Sequence, residues 1–310
     1  MNSRAPLPAS LSRDAFRVRE ALAEGASRNR LRSSDLTTLF WGGRSFGADR
    51  LTALLPLMST DAAFSGPTAA KLWDLPLPLR WRSDDQLHVS HLGNRRMRRA
   101  GVVSTRRGSG DVRVVGGFPV LDPVATWFSL GGFLHQDDLT AVADRIVTGT
   151  MKTPALATPA ELDAGLKAAG RARWIRRLRS ARGEVRVGAW SRPETLLRLL
   201  IVRAGLPEPE LNVPVLLDER RQVYPDIAWP EYRIAIEYDG RQHDGETQRA
   251  ADGDRHERLV DAGWIVVRVR ATDLFDQPSA VVARLVRRLA TRGFVATHSI
   301  DESRMVCVPR

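Results

Sequence analysis

The chain of 310 residues holds a single cysteine, Cys307. No internal disulfide can form, and no cysteine-built zinc cluster is available. No apolar run approaches the roughly 18 residues that a membrane-spanning helix requires, and the N-terminus lacks the apolar core of a signal peptide. These absences predict a cytoplasmic protein with no membrane partner. Lysine is nearly missing too, present only as Lys71, Lys152 and Lys167. Lys and Arg together number 47 against 36 Asp and Glu, a formal net charge of +11 with a pI near 11.0, so the basicity is almost all arginine. Such a surplus favours a polyanionic partner, because clustered cations gain by releasing counterions from phosphates. A GC-rich genome also enriches arginine, which weakens the inference without cancelling it. Arginine does not deprotonate, so this abundance supplies no general base. With 43% hydrophobic residues, the chain has enough apolar material for two domains with proper cores.

Against that background one stretch stands out, Tyr224 to His243, reading Y-P-D-I-A-W-P-E-Y-R-I-A-I-E-Y-D-G-R-Q-H. Its alternation from Tyr232 to Asp239 predicts a strand with Ile234 and Ile236 on one face and Glu237 and Asp239 on the other. Residues two apart on a strand lie about 6.6 Å apart, so the two carboxylates can converge on one cation. Asp226 ends the preceding segment, and an antiparallel return would set it beside them. Three unneutralised acids in a small space repel, so a metal ion or a guanidinium is expected between them. An all-oxygen site suits Mg2+, with Mn2+ as substitute. The alternative is a set of surface acids at strand ends.

The same residues resemble the PD-(D/E)xK nuclease superfamily, and within it the very-short-patch-repair (Vsr)-like branch. The likeness rests on Asp226 followed by E-x-D-G-x-x-H from Glu237 to His243, and on Asp252, Arg255, Leu259, Gly263 and Trp264 downstream. Upstream it includes Ser191 and Glu194 at a helix start, then Gly205-Leu206-Pro207 and Asn212. It spans about residues 185 to 295. The resemblance implies a restriction-endonuclease-like core, a mixed sheet flanked by helices, that hydrolyses phosphodiester bonds through a metal-activated water. Asp226, Glu237 and Asp239 would be ligands and Glu194 a fourth acid. Where many members carry lysine this chain has Asp239, and His243 is the available group for proton transfer; its alternative is an exposed loop histidine. Glu194 also completes a capping box with Ser191, an equally good structural explanation. Arg255 is a phosphate contact or an ion-pair partner of Asp252.

Residues 1 to 150 resemble the type IV abortive-infection antitoxin proteins through G-A-S-R-N-R-L-R-S-S-D-L, S-G-P-T-A-A-K-L-W-D-L-P and F-P-V-L-D-P-V-A-T-W-F-S-L. That likeness implies an α+β winged-helix-like head and a protein partner of toxin–antitoxin or defence type. Local signals predict a helix from Ser12 to Glu24 ended by Gly25, helices at 51–58 and from Pro67, and strands at 87–92 and 101–105 around an arginine cluster containing Arg95 and Arg96. The cluster is either a phosphate contact or solvated charge at a turn. Residues 151 to 189 form a connector whose run from Arg171 to Arg182 has six arginines and no acid. Arg171, Arg173, Arg176, Arg177 and Arg179 could grip a nucleic-acid backbone, or simply coat an inter-domain helix. Residues 190 to 295 form the nuclease-like domain, closing with a mostly buried strand at 264–270 and a helix capped by Asp276; 296 to 310 form a tail.

Together these readings predict an α/β protein that cleaves or nicks DNA, with RNA as an alternative substrate. The rival is an inactive DNA-binding regulator. Oligomeric state and recognition sequence are left open.

Overall fold

The computed structural model describes residues 5–11, 14–93, 96–106, 110–149, 153–217, 222–239 and 256–295. The chain is mixed α/β and divides into two compact units. One comprises Met1–Asp74 with Arg82–Ser129, the other Leu75–Trp81 with Leu130–Arg310.

In the first unit β1 (Ala15–Arg17) pairs antiparallel with β2 (Gly43–Ser45), and α1 (Val18–Ala23) follows directly. The helix expected from Ser12 therefore starts later. Phe16, 2% exposed, is drawn into the small core with Ala21, Leu31 and Leu36, and an extended backbone at 15–17 serves that pairing. Gly25, at φ +94°, follows the helix end as expected. Asp49 caps α2 (Arg50–Leu54) by accepting from Leu51 and Thr52 amides. Next come β3 (Ala62–Phe64) and α3 (Gly66–Leu72), while α4 (Leu79–Arg82) and α5 (Pro123–Leu130) fall at the chain passages between units.

A five-stranded sheet adds β4 (Leu87–His91), β5 (Val102–Arg106), β6 (Val112–Val115) and β7 (Phe118–Leu121), in the order β5-β4-β3-β7-β6. β4 and β5 run parallel, with Leu87 opposite Val102. The arginine-bearing segment between them, which includes Arg96, is thus a crossover and not a hairpin turn. β4 is buried along its whole length, the pattern of a central strand covered on both faces.

The second unit contains α6 (Gln136–Val147), α7 (Pro159–Ala169), α8 (Ile175–Gly183) and α9 (Arg192–Arg203). The sequence places α6 in the N-terminal region; in the structure it belongs here, and charge explains why. Asp137, Asp138 and Asp144 of α6 meet Arg203, Arg192 and Arg198 of α9 at 2.6, 2.7 and 3.4 Å. Asp144 is fully buried and also accepts from the Thr195 hydroxyl at 2.8 Å and the Arg186 amide at 2.7 Å. A buried charge left without its partner is costly, so these pairs constrain how the two helices meet. α7 opens on a capping box between Thr158 and Glu161. α8 starts only at Ile175 because Trp174 adopts a left-handed conformation at φ 69°.

The C-terminal sheet has the order β13-β12-β11-β8, built from β8 (Glu210–Leu211), β11 (Ile227–Trp229), β12 (Ile234–Asp239) and β13 (Ile265–Arg270). In a separate two-stranded sheet β9 (Val215–Leu216) pairs antiparallel with β10 (Gln222–Val223). β11 and β12 are antiparallel, as the expected return of the chain requires, whereas β12 and β13 are parallel. Residues 256–261 between the last two are helical. β13 lies at the edge among the described strands and alternates: Val267 and Val269 are buried while Arg268 and Arg270 are exposed, so it is less buried than the sequence predicts. α10 (Ala271–Asp276) and α11 (Pro278–Ala290) close the unit. Asp276 ends α10 and does not cap α11, whose N-cap position is Gln277 ahead of Pro278. Val281, Val282, Leu285 and Leu289 of α11 pack with Leu197 and Ile201 of α9 in the core under β11 and β12.

Burial pushes the Asp144 carboxyl up to about 6 against the pull of Arg198. A carboxyl raised in the folded state contributes stability below its ordinary pKa, and that contribution is lost as pH rises through about 6. In urea unfolding, the stability of the unaltered protein minus that of Asp144→Asn is expected to fall by about 1–3 kcal/mol between about pH 4 and about pH 7. A difference that stays flat or grows would show Asp144 ionised throughout. Asp144→Ala leaves the buried Arg198 without this partner and is expected to cost about 3–5 kcal/mol at neutral pH.

Candidate active site

Residues Leu211, Ile227, Ile236 and Val267 lie opposite one another across the four strands, and all four belong to one buried core. Moving one residue along each strand reverses the face. Continuing the register in this way aligns Asn212, Asp226, Glu237 and Arg268 in a polar row. The amide of Asn212 donates to the Asp226 carbonyl at 3.1 Å, and the amide of Tyr238 donates to the Asp226 carboxylate at 2.8 Å. Glu237 is buried, 6% exposed, and its parallel partner is Arg268; Asp239 has Arg270. The row faces away from the core of Ile234 and Ile236, on the same side as Ala235, which packs with Val215, Val223 and Leu259.

Asp226, Glu237 and Asp239 are thereby brought to one region of one sheet, as the alternation implies. Two arginines that the sequence reading did not single out accompany them. Their signal is period-two alternation in I-V-V-R-V-R, legible only once β13 is known to pair with β12. Among the described residues no three His, Cys, Asp or Glu side chains lie close enough to hold a metal ion by themselves. The donor set is chemically right for a hard divalent cation but incomplete within those residues. His243 and Arg255, named from the sequence, lie outside the described residues, as does Arg95.

Glu194 is engaged at the start of its own helix. Its carboxylate accepts from the Trp190 amide at 2.8 Å, the Ser191 hydroxyl at 2.7 Å and the Asn212 side-chain amide at 2.7 Å. Burial raises its pKa, opposed by those hydrogen bonds from Ser191, Trp190 and Asn212. Asn212 also donates to the Gly188 carbonyl at 2.8 Å, so one carboxamide ties α9 to the polar row. At φ 47° Asn212 occupies the left-handed region that asparagine tolerates better than most residues. Its Oδ1 is buried without a hydrogen-bond partner among the described residues.

The connector arginines divide into two groups. Arg177 donates to the carbonyls of Gly131 and Leu134 at 3.2 and 3.1 Å, and Arg179 to that of Gly170 at 3.2 Å, so both brace the chain. Arg171, Arg173 and Arg176 are exposed, and Arg173 lies over the Trp174 ring at 4.4 Å. All five border a cavity of about 550 Å³. Arg96 is described on the crossover of the first unit.

Asn212→Ala removes two short hydrogen bonds from a buried carboxylate and a carbonyl and places alanine at positive φ. The expected loss is about 2–4 kcal/mol, read as a lower urea midpoint at unchanged slope. An unaltered midpoint would mean that the carboxamide does not hold Glu194.

Comparison with known proteins bears on the same residues. Two uncharacterized proteins of Mycobacterium tuberculosis, MT2308 of strain CDC 1551 and Rv2248 of strain H37Rv, are each 33% identical to the chain over 102 residues. The match covers 33% of this chain and 38% of either relative. No solved structure matches significantly. The restriction endonuclease-like family model REase_MTES_1575 matches residues 222–289, a span from β10 through most of α11 that includes Asp226, Glu237 and Asp239. The C-terminal part of the chain is therefore similar to a restriction-endonuclease-type domain, which suggests a nuclease.

Proposed function

We propose that this protein is a metal-dependent endonuclease whose substrate is DNA. The observation that carries the reading is the polar row: Asp226 and Glu237 lie opposite each other on antiparallel strands, inside the segment matched by the endonuclease family model. Burying a carboxylate such as Glu237 is costly, and a catalytic sheet gives it a reason to persist. Asp226, Glu237 and Asp239 would hold Mg2+ or Mn2+, which when bound supplies Lewis-acid stabilisation at a phosphate and a nucleophile at neutral pH. Asn212 contributes a buried oxygen beside Glu194 that has no hydrogen-bond partner among the described residues, consistent with an oxygen-rich site.

The chain's own residues supply the rest. The amide of Tyr238 orients Asp226. The superfamily's lysine position is Asp239, so the positive charge beside the acids comes from the neighbouring strand, through Arg268 and Arg270. These can hold a phosphate but cannot act as a base. In this reading His243 moves the proton, and Glu194 serves by positioning Asn212. Arg171, Arg173 and Arg176, with Arg255, Arg95 and Arg96, add backbone contacts along the nucleic acid. The first unit acts as a winged-helix-like, antitoxin-type head for DNA or a partner protein.

A second reading, a regulator whose nuclease core is a scaffold, is favoured by one observation. Arg268 and Arg270 stand in register with Glu237 and Asp239 and could neutralise the acids without any cation. Among the described residues no helix is long and apolar enough to cross a membrane.

Supercoiled plasmid, linear duplex and single-stranded DNA, with an RNA of the same sequence, are to be incubated with the full chain in Mg2+ or Mn2+ and in EDTA. Cutting is expected only with the cation, and Asp226→Ala and Glu237→Ala should each lower it by about a hundredfold or more while still binding duplex. Cutting that survives in EDTA or in Asp226→Ala would remove the metal-acid assignment. Binding without any cutting would favour the regulator.

A further inference from the structure

Around the outer edge of β13 lies a second feature, a cavity of about 560 Å³ bordered by His256, Arg268, Arg270, Asp273, Arg284 and Arg288, and also by Val266 and Val267. Four guanidiniums share it with one carboxylate. Asp273 accepts from the Arg270 amide at 3.2 Å and pairs with Arg284 at 3.4 Å, so it is already committed. Arg268, Arg270 and Arg288 make no ion pair among the described residues, and all three are exposed. His256 presents a buried Nδ1, and Arg284 a buried Nε, that find no hydrogen-bond partner there either. Like charges gathered this closely repel unless an anion joins them. The groups come from separate elements: the helical stretch at 256–261, strand β13, and α11, where Arg284 and Arg288 are four residues apart on one side of the helix. A solvated coat of arginines would need no such convergence.

We infer that this cavity is a phosphate-binding site, and that it holds a phosphate of the polynucleotide strand next to the one facing the acids. The guanidiniums offer fork-shaped donors that match phosphate oxygens, and His256 adds a ring N–H. The position fits that use. Arg268 and Arg270 are the register partners of Glu237 and Asp239, about 4.8 Å away on the adjacent strand, so the cavity begins one strand outward from the acid row. The identity of the ligand as a polynucleotide rests on the nuclease reading; the affinity for phosphate does not. Phosphate at the end of a strand and phosphate within it share this chemistry.

The test uses the full chain in EDTA, so that binding is read without cutting. Fluorescence anisotropy measures short oligothymidylates carrying either a 5′-phosphate or a 5′-hydroxyl, across a salt series. Arg270→Gln/Arg288→Gln is expected to bind about tenfold or more weakly, with a salt slope shallower by about 0.7 for each phosphate of the single strand that the variant no longer neutralises. Weakening confined to the 5′-phosphorylated probe assigns a terminal phosphate, and equal weakening on both probes assigns an internal one; either supports the site. Arg288→Gln alone, changed at an exposed helix position, is expected to show a smaller effect in the same direction and serves if the double variant does not fold. Should the arginine variants bind both probes with unchanged affinity and slope, the site is overturned. Failure of the nuclease reading looks different: no cation-dependent cutting in the unaltered protein, with the arginine-dependent binding intact.

Discussion

The pleat of β12 is the constraint on which the C-terminal unit depends. Successive side chains of a strand point to opposite faces, so burying Ile234 and Ile236 against α9 and α11 leaves Ala235, Glu237 and Asp239 nowhere to go but the other side. The neighbours are bound by the same rule. Once Ile227 and Val267 are drawn into the core opposite Ile236, Asp226 and Arg268 must flank Glu237. A slip of one residue would carry the acids into the core and the isoleucines out of it. The hydrophobic pattern therefore sets the register, and the register assembles the polar row.

That row is supported by a second device, the buried acid–arginine pairs between α6 and α9. The pairs hold α9, α9 carries Glu194, and Glu194 holds Asn212 beside Asp226. The chain of contacts runs from a fully buried carboxylate, Asp144, to the candidate acids through hydrogen bonds and one helix. Such pairs are weak evidence for stability, since well-packed apolar groups could do as well. Their use here is orientation: six charged residues on two helices leave few ways to dock them.

The division of labour among the arginines follows from where each is anchored. Arg192, Arg198 and Arg203 answer acids inside the fold, and Arg177 and Arg179 tie down backbone carbonyls. Arg268, Arg270 and Arg288 around β13, and Arg171 and Arg176 near α8, make no such ion pair among the described residues, and cations of that kind are the ones available to a polyanion. Net charge alone could not separate these groups, because a paired and an unpaired arginine count the same.

Much of the site was legible because its cause is local. Period-two alternation gave β12 and its two faces, and the Pro-containing turn before it gave the antiparallel return that sets Asp226 opposite Glu237. Gly25 and the Ser191 N-cap were legible for the same reason, each being settled by neighbours a few residues away. What the sequence could not determine were the pairings between distant segments. Nothing local in Leu87–His91 and Val102–Arg106 tells parallel strands from a hairpin, and nothing in Ile265–Arg270 says that it lies at a sheet edge. Nothing local to the acids of α6 announces the arginines of α9, more than 50 positions away, that come to meet them. The sequence by itself determined which residues are acidic, basic or apolar on each element. Only the tertiary structure decided which of those charges face each other, because that depends on register and docking between segments with no shared local signal.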